Sequence, residues 1–316
     1  MGDERRWRGW IAVAVLGVAG LAVLPRFVSD YRISLLMSIF AYVAMATAWA
    51  FFSGPTRYIS LATSAFVGIG IYTVTLLIDR VPLAIALAAA PLSGFLMALV
   101  VGLSTLRLRG VYFVIFTFGL AELTKQLVTW YEVNRNKNLM RLIFADVSNV
   151  FLYEILLAVA MVTVAGAWMI GRTRLGFALR AIGEDETVAR HTGVDTTRVK
   201  VLVFALSASI MALTGAILSL RYSYIDPNVA FNSTWSFQVL IMSLLGGAGR
   251  AWGPLLGVIP LVLLSEFLAG TFPHHFGIAL GLCFVIIVFY LPGGVARWLE
   301  RVRDRVGAGR DGRIAA

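Results

Sequence analysis

Charge is scarce in this chain. Asp, Glu, Lys and Arg make up 14% of its 316 residues, against about a quarter in an ordinary soluble domain. Hydrophobic residues make up 59%, and the mean hydropathy is +0.84. A water-soluble globule is therefore excluded. Cysteine is almost missing. Cys283 stands alone inside an apolar run, so no disulfide can form within one chain. Histidine is limited to His191, His274 and His275. The adjacent pair after Pro273 reads as a solvated interface turn rather than a metal site. A phosphate-binding loop of the G-x-x-x-x-G-K-[ST] type is absent, so any ATP-driven step belongs to another chain. No serine–histidine or paired-carboxylate pattern points to catalysis inside the membrane, and no cofactor is implied.

Acids are also fewer than bases, 17 against 27, giving a net charge of +10. The bases sit in short loops between apolar runs and in the tail, where the positive-inside bias places them. They carry no signal for nucleic acid.

What is present is a series of apolar runs long enough for helices across a ~30 Å hydrocarbon core. The alternating ten-residue pattern of a membrane barrel is missing. The fold class is all-α, a polytopic integral membrane protein in the lipid bilayer, with one transmembrane domain over 1–316. About ten spans are expected, at 10–24, 33–52, 59–78, 83–106, 111–130, 150–170, 201–221, 237–248, 254–270 and 276–291. The N-terminal MGDERRWRGW and its apolar continuation resemble a signal sequence, but read as a retained first span ending at Pro25. The eighth span is short and bounded by glycine, so a re-entrant or broken helix is expected there. Arg5, Arg6 and Arg8, then Arg107 and Arg109, then 171–200 and the arginine-rich tail fall on one side, so both termini are expected in the cytoplasm. The outer segment 131–149 is the exception, with Arg135, Lys137 and Arg141 partly offset by Glu132 and Asp146. Residues 307–316 read as a disordered tail.

Four stretches carry most of the information. In SGPTRYISLATSAFVGIGIY, residues 53–72, Gly54 and Pro55 break the chain. Ser60, Thr63, Ser64, Phe66, Gly68 and Gly70 follow on a helix. Small and hydroxyl residues there allow tight helix packing, or line a pathway for a polar solute. In LRLRGVYFVIFTFGLAELTKQ, residues 106–126, Glu122 and Lys125 fall at i and i+3 on one face. A packing pair or a transport role both fit. In LLGGAGRAWGPLLG, residues 244–257, Gly246, Gly247, Gly249, Gly253 and Pro254 rule out one straight helix. A tight turn or a mobile gate both fit.

The fourth stretch, GRTRLGFALRAIGEDETVARHTGVDTTRVK at 171–200, is a long polar segment in an apolar chain. Leu175, Ala178, Leu179 and Ile182 form an apolar stripe at helical spacing, as expected of a loop that docks on a partner. Gly183 is expected to interrupt the helix. The acids Glu184, Asp185 and Glu186 suit the start of a second one. Gly193 fits a C-terminal cap and Asp195 an N-cap for the next span. The acidic cluster argues against a helix lying on the anionic inner leaflet.

Together these stretches resemble the LivM-type permease subunit of bacterial branched-chain amino acid ABC transporters, over roughly 33–295. LRLRGVYFVIFTFGLAE, LGFALRAIGEDETVARHTGV and LLGGAGRAWGPLLG are each close to family signatures and occur in the family's order. The resemblance implies an inner-membrane permease that catalyses no covalent chemistry. It also implies a homologous second permease subunit, two cytoplasmic ATPase subunits and a periplasmic solute-binding protein. By the motif match, Gly176, Arg180, Ala181, Glu184, Asp185, Glu186, Ala189 and Gly193 are the expected ATPase-coupling positions. Two departures bear on the solute. Ala62 stands where the family usually has glycine, and 131–149 lacks the expected threonine–glycine–glycine element. Relatives import urea, amides or other amino acids. The rival classes are an ion-coupled secondary transporter, which needs acids deep in several spans and has only Glu122 and Glu266 to offer, and an intramembrane enzyme.

Overall fold

A computed structural model describes residues 20–21, 24–108, 110–137, 140–143, 147–250, 252–272, 277–278, 280–282 and 285. Most of the expected first and last spans, the His274–His275 pair, Cys283 and the tail 307–316 lie outside these residues.

Helix α1 runs Asp30–Thr56 and ends where Arg57 turns left-handed at φ 59°. Two shorter steps follow, α2 (Thr63–Leu77) and α3 (Leu83–Thr105), then α4 (Val111–Tyr131), which continues as a π-turn over Glu132–Asn136. Helix α5 spans Asn149–Ile170. Helices α6 (Arg174–Glu184) and α7 (Glu186–His191) are short, and α8 (Thr196–Ser219) is long. The one-turn helix α9 (Pro227–Ala230) precedes α10 (Thr234–Gly246) and α11 (Gly253–Thr271). Among the described residues, seven segments are long and apolar enough to cross a membrane, with α2 apolar but shorter. The expected eighth span is interrupted: α9 and α10 together make up one of the seven, Pro227–Gly246, with a non-helical break at 231–233.

Helices α1 and α8 are the most buried spans and form the centre. Helix α8 packs against α3, α2, α1 and α5, while α1 packs against α5, α8, α10 and α11. Lipid tails are as apolar as leucine, so helices associate through close packing rather than through hydrophobic transfer. Small residues provide it here. A Cβ on Gly70 would lie 1.8 Å from the Ala212 carbonyl oxygen of α8, so only glycine lets α2 approach this closely. Around this seam the Phe204 ring meets Phe52 and Phe66 at centroid distances of 5.0 and 5.4 Å.

Two short strands were not legible in the sequence. Strand β1 (Arg141–Leu142) pairs antiparallel with β2 (Tyr224–Ile225), Arg141 opposite Ile225. The ribbon ties the segment after α4 to the segment after α8. It also changes the reading of the outer charges. Glu132 is 1% exposed and accepts from Arg141 Nε at 2.7 Å, so two of these residues form an internal pair rather than surface charge.

Candidate functional site

The 171–200 segment folds as two short helices, α6 and α7, as expected, but the break falls elsewhere. Helix α6 continues through Gly183 and stops at Asp185, whose extended backbone (φ −153°, ψ 113°) makes it the N-cap of α7. Its Oδ1 accepts from the amides of Thr187 at 2.7 Å and Val188 at 3.2 Å. A side chain that satisfies two orphan amides outweighs glycine as punctuation. Gly183 serves another purpose. A Cβ there would sit 1.9 Å from the Pro55 carbonyl oxygen, so glycine lets α6 rest directly on the end of α1. Gly193 has φ +87° and closes α7, and Asp195 caps α8 by accepting from the Arg198 amide at 3.1 Å, both as expected.

The apolar stripe faces inward. Leu179 and Ile182 are 1% and 3% exposed, and Leu179 belongs to the main core. The stripe fixes α6 onto its own chain rather than offering a docking face, because its spacing places it on the side that meets α1. The outward face carries Phe177, Ala181, Glu184 and Val188, with Phe177 and Val188 exposed by 64% and 58%. Gly176 is buried where the start of α6 meets the end of α5, and Arg180 reaches back to the Gly171 and Gly176 carbonyls. Ala189 is buried, while Glu184 stays in water and pairs with Arg57 at 2.7 Å.

Glu186 is the centre of a buried network. Its Oε1 accepts from Lys200 Nζ at 2.9 Å, Arg190 at 2.9 Å and the Thr196 hydroxyl at 3.2 Å. Its Oε2 accepts from the Tyr58 hydroxyl at 2.8 Å. Lys200 is 2% exposed and also donates to the Leu106 carbonyl at 3.0 Å. One carboxylate thus joins α7, the start of α8 and the α1–α2 connection, and Lys200 carries the network on to the end of α3. Each charge is both paired and hydrogen-bonded, the condition under which a buried ion pair is tolerated. Tyr58 and Lys200 escaped sequence reasoning. The one available signal was a lysine five residues into a long apolar helix, which demands a buried carboxylate. Tyr58 gave none.

The remaining candidates lie in α2, in the glycine-rich hairpin and on α4. Ser60, Thr63, Ser64 and Phe66 are at most 4% exposed. The Ser236 hydroxyl accepts from the Ser64 amide at 2.9 Å, and a Cβ on Gly68 would strike the Phe231 ring. In the glycine-rich hairpin, Gly247 (φ +97°) ends α10 and Pro254 opens α11. Gly246 and Gly253 cross so closely that a Cβ on either would lie 2.0 Å from backbone oxygen of the other strand of the hairpin. Gly249 instead borders open space. Glu122 lies 3.7 Å from Lys125 and accepts from Gln126 Nε2 at 3.2 Å, on a half-exposed stretch of α4. Glu266 accepts from the Tyr31 hydroxyl at 2.9 Å. Among the described residues no group of His, Cys, Asp or Glu could hold a metal ion.

A many-helix membrane body with a two-helix polar segment pinned to it suits a transport protein driven from outside its own chain. Comparison with known proteins decides the family. Residues 31–291 match the family described as branched-chain amino acid transport system / permease component. The chain belongs to this family. It is similar to the high-affinity branched-chain amino acid transport system permease protein LivM of Escherichia coli, at 26% identity over 90% of this chain and 73% of that protein. It is also similar to the autoinducer 2 import system permease protein LsrC of Yersinia pestis, at 26% over 81% of this chain and 74% of that protein. A fructose import permease protein, FrcC of Rhizobium meliloti, is 29% identical over 48% of this chain and 42% of its own length. No solved structure matches. The chain is thus a multi-pass permease of the ABC importer class, a family in which ATP hydrolysis lies on separate subunits and binding proteins are the general partners.

Proposed function

We propose that this permease carries branched-chain or similar amino acids across the bacterial inner membrane, paired with a homologous permease subunit above two ATPase subunits. A periplasmic binding protein delivers the solute. The ATPases dock on the outward face of α6 and α7, through Phe177, Arg180, Ala181, Glu184 and Val188. The observation that carries this reading is the Glu186 network. Motion delivered to α6 and α7 is passed by Glu186 and Lys200 to α8, the column on which α2 and α3 are seated. Glu186 and Ala189, buried as they are, act as positioning residues in this scheme, and Asp185 and Gly193 fix the ends of α7.

Solute passes along the junction with the second permease, alternately open to either side. Helix α4 is the least buried span, and it exposes Glu122 and Gln126 partway along. Polar groups at that depth are costly against lipid and suited to a wet passage. Ser60, Thr63 and Ser64 support the protein from its interior.

A second reading has the same mechanism with a different small polar solute, favoured by the similarity to the autoinducer 2 and fructose permeases. Two measurements separate these. Affinity purification of this chain after mild solubilisation is expected to bring down the ATPases and the second permease. Recovery of the chain alone would refute the importer assignment. Calorimetry on the binding protein of the same system is expected to show binding of leucine, isoleucine or valine. Binding of a sugar or amide, with none of these, would replace the solute.

A further inference from the structure

Helix α4 presents three faces, because successive residues turn by about 100° around a helix axis. Phe113, Thr117 and Ala121 are buried against the protein. Tyr112, Phe116, Leu123, Leu127 and Trp130 form an exposed apolar stripe with aromatic rings at both ends, the pattern of a helix side against lipid. The third face carries Phe118, Gly119, Glu122, Lys125, Gln126 and Thr129, none of them buried. Glu122 lies roughly 16 Å along a helix of about 31 Å, so its carboxylate stands near the middle of the membrane. A face that met only acyl chains would not carry an acid, a lysine and an amide at that depth.

The charges on this face leave bonding capacity unused. Lys125 Nζ stands 3.7 Å from Glu122 Oε1, too far for a hydrogen bond, and Gln126 Nε2 donates to the same oxygen at 3.2 Å. Among the described residues, Glu122 Oε2 accepts no hydrogen bond and Lys125 Nζ donates none. An ammonium has three donors and a carboxylate two acceptor oxygens, so both groups can take a ligand without losing a partner. One turn before Glu122, the Phe118 ring rests against Phe237 of α10 at a centroid distance of 5.9 Å, and both rings are partly exposed, by 38% and 41%. A free acceptor, a free cationic donor and an apolar ring pair thus lie side by side. That set is complementary to a zwitterion with an aliphatic side chain. We infer that this face of α4 reads the solute as an α-amino acid. The solute ammonium donates to Glu122 Oε2, its carboxylate accepts from Lys125 Nζ, and its side chain lies on Phe118 and Phe237. The permease then selects its solute as well as the binding protein does. A neutral sugar would meet two charges and satisfy neither. The inference rests on the reading that solute passes along α4.

The reconstituted importer carrying Cys283→Ser, which removes the one native cysteine, and Gly119→Cys tests this. Gly119 lies one turn before Glu122, and a Cβ there meets nothing within 4 Å. A water-soluble maleimide is expected to label this cysteine, in the resting or the ATP-hydrolysing importer. Leucine should slow the labelling. Leucinamide (no carboxylate) and 4-methylpentanoate (no ammonium) should need about tenfold higher concentrations for the same protection, the loss of one charged hydrogen bond. Glu122→Gln should erase the preference for leucine over 4-methylpentanoate, and Lys125→Met the preference over leucinamide. An ion pair that only holds the helix in place would not split the two preferences in this way. Assembly with the ATPases reports folding of each variant. Labelling that leucine does not slow, equal protection by leucine and fructose, or preferences unchanged in both variants would overturn the inference while leaving a wet passage along α4 in place. A cysteine that stays unlabelled in both states would remove that passage, and the inference with it.

Discussion

The glycine-rich hairpin at 244–257 and the polar segment at 171–200 are both fastened to α1, but by opposite means. The hairpin uses backbone against backbone. A Cβ on Gly54 of α1 would lie 1.9 Å from the Ala248 carbonyl oxygen, and between the hairpin's own helices a Cβ on Gly257 would lie 1.9 Å from the Met242 carbonyl oxygen. The 171–200 segment has one such contact with α1 among the described residues, Gly183 on Pro55. Otherwise it hangs on long side chains that converge on Glu186. Backbone seams have no slack, because interiors are packed to solid density and have no rotamer to relax. A network of long side chains can shift as a unit while keeping its partners. The first suits a fixed frame and the second a moving part.

Disrupting the fixed seam should have the largest effect. Gly257→Val pushes a branched side chain into backbone oxygen, and overpacking costs about 1–3 kcal/mol even where neighbours can give way. Here they cannot, and the variant is expected to disappear from purified membranes. Wild-type yield and melting temperature would remove the distinction between frame and moving part.

Next comes the ionic hub. Glu186→Leu leaves Lys200 buried without its carboxylate, which costs about 3–5 kcal/mol. The double variant Glu186→Leu with Lys200→Met removes both charges and should recover most of the lost thermal stability, because an apolar pair of similar volume is often as stable as a buried ion pair. If both single variants melt like wild type, the pair is not buried as described. Glu186→Arg, by the same argument, is expected to impair folding, since it sets a third cation beside Lys200 and Arg190. An uncoupled but fully stable protein would be expected only if Glu186 faced water.

The smallest effect should come from the rim. Arg57 and Glu184 pair at 2.7 Å with side chains 65% and 77% exposed, and exposed pairs contribute about 0.2–1 kcal/mol. Arg57→Ala is expected to lower the melting temperature little. A large drop would mean that the 171–200 segment is held from its surface and not from its hub.

These contrasts also mark what could be read from the residues. Helix positions, the Asp195 cap and the left-handed Gly193 followed from local chemistry, where each signal lies within a few residues of its effect. The inward direction of the Leu179–Ile182 stripe did not, because an amphipathic helix shows that one face is apolar and not what that face meets. The hub was illegible for a different reason. Tyr58, Leu106, Glu186 and Lys200 come together only through tertiary packing. The β1–β2 ribbon, two residues per strand, has too little sequence pattern to detect. The small residues of 60–70 pointed to packing more than to a passage, two roles that can coexist, and Ser60, Thr63, Ser64, Gly68 and Gly70 are buried within this chain.

The central claim is that α6 and α7 pass motion to α8 through Glu186 and Lys200. It is tested most directly by the ratio of ATP hydrolysed to solute imported in the reconstituted importer carrying Glu186→Leu with Lys200→Met. The account predicts hydrolysis near wild type with uptake lower by about tenfold, within the range of typical coupling energies of ~1–3 kcal/mol. A folded double variant with the wild-type ratio would contradict it.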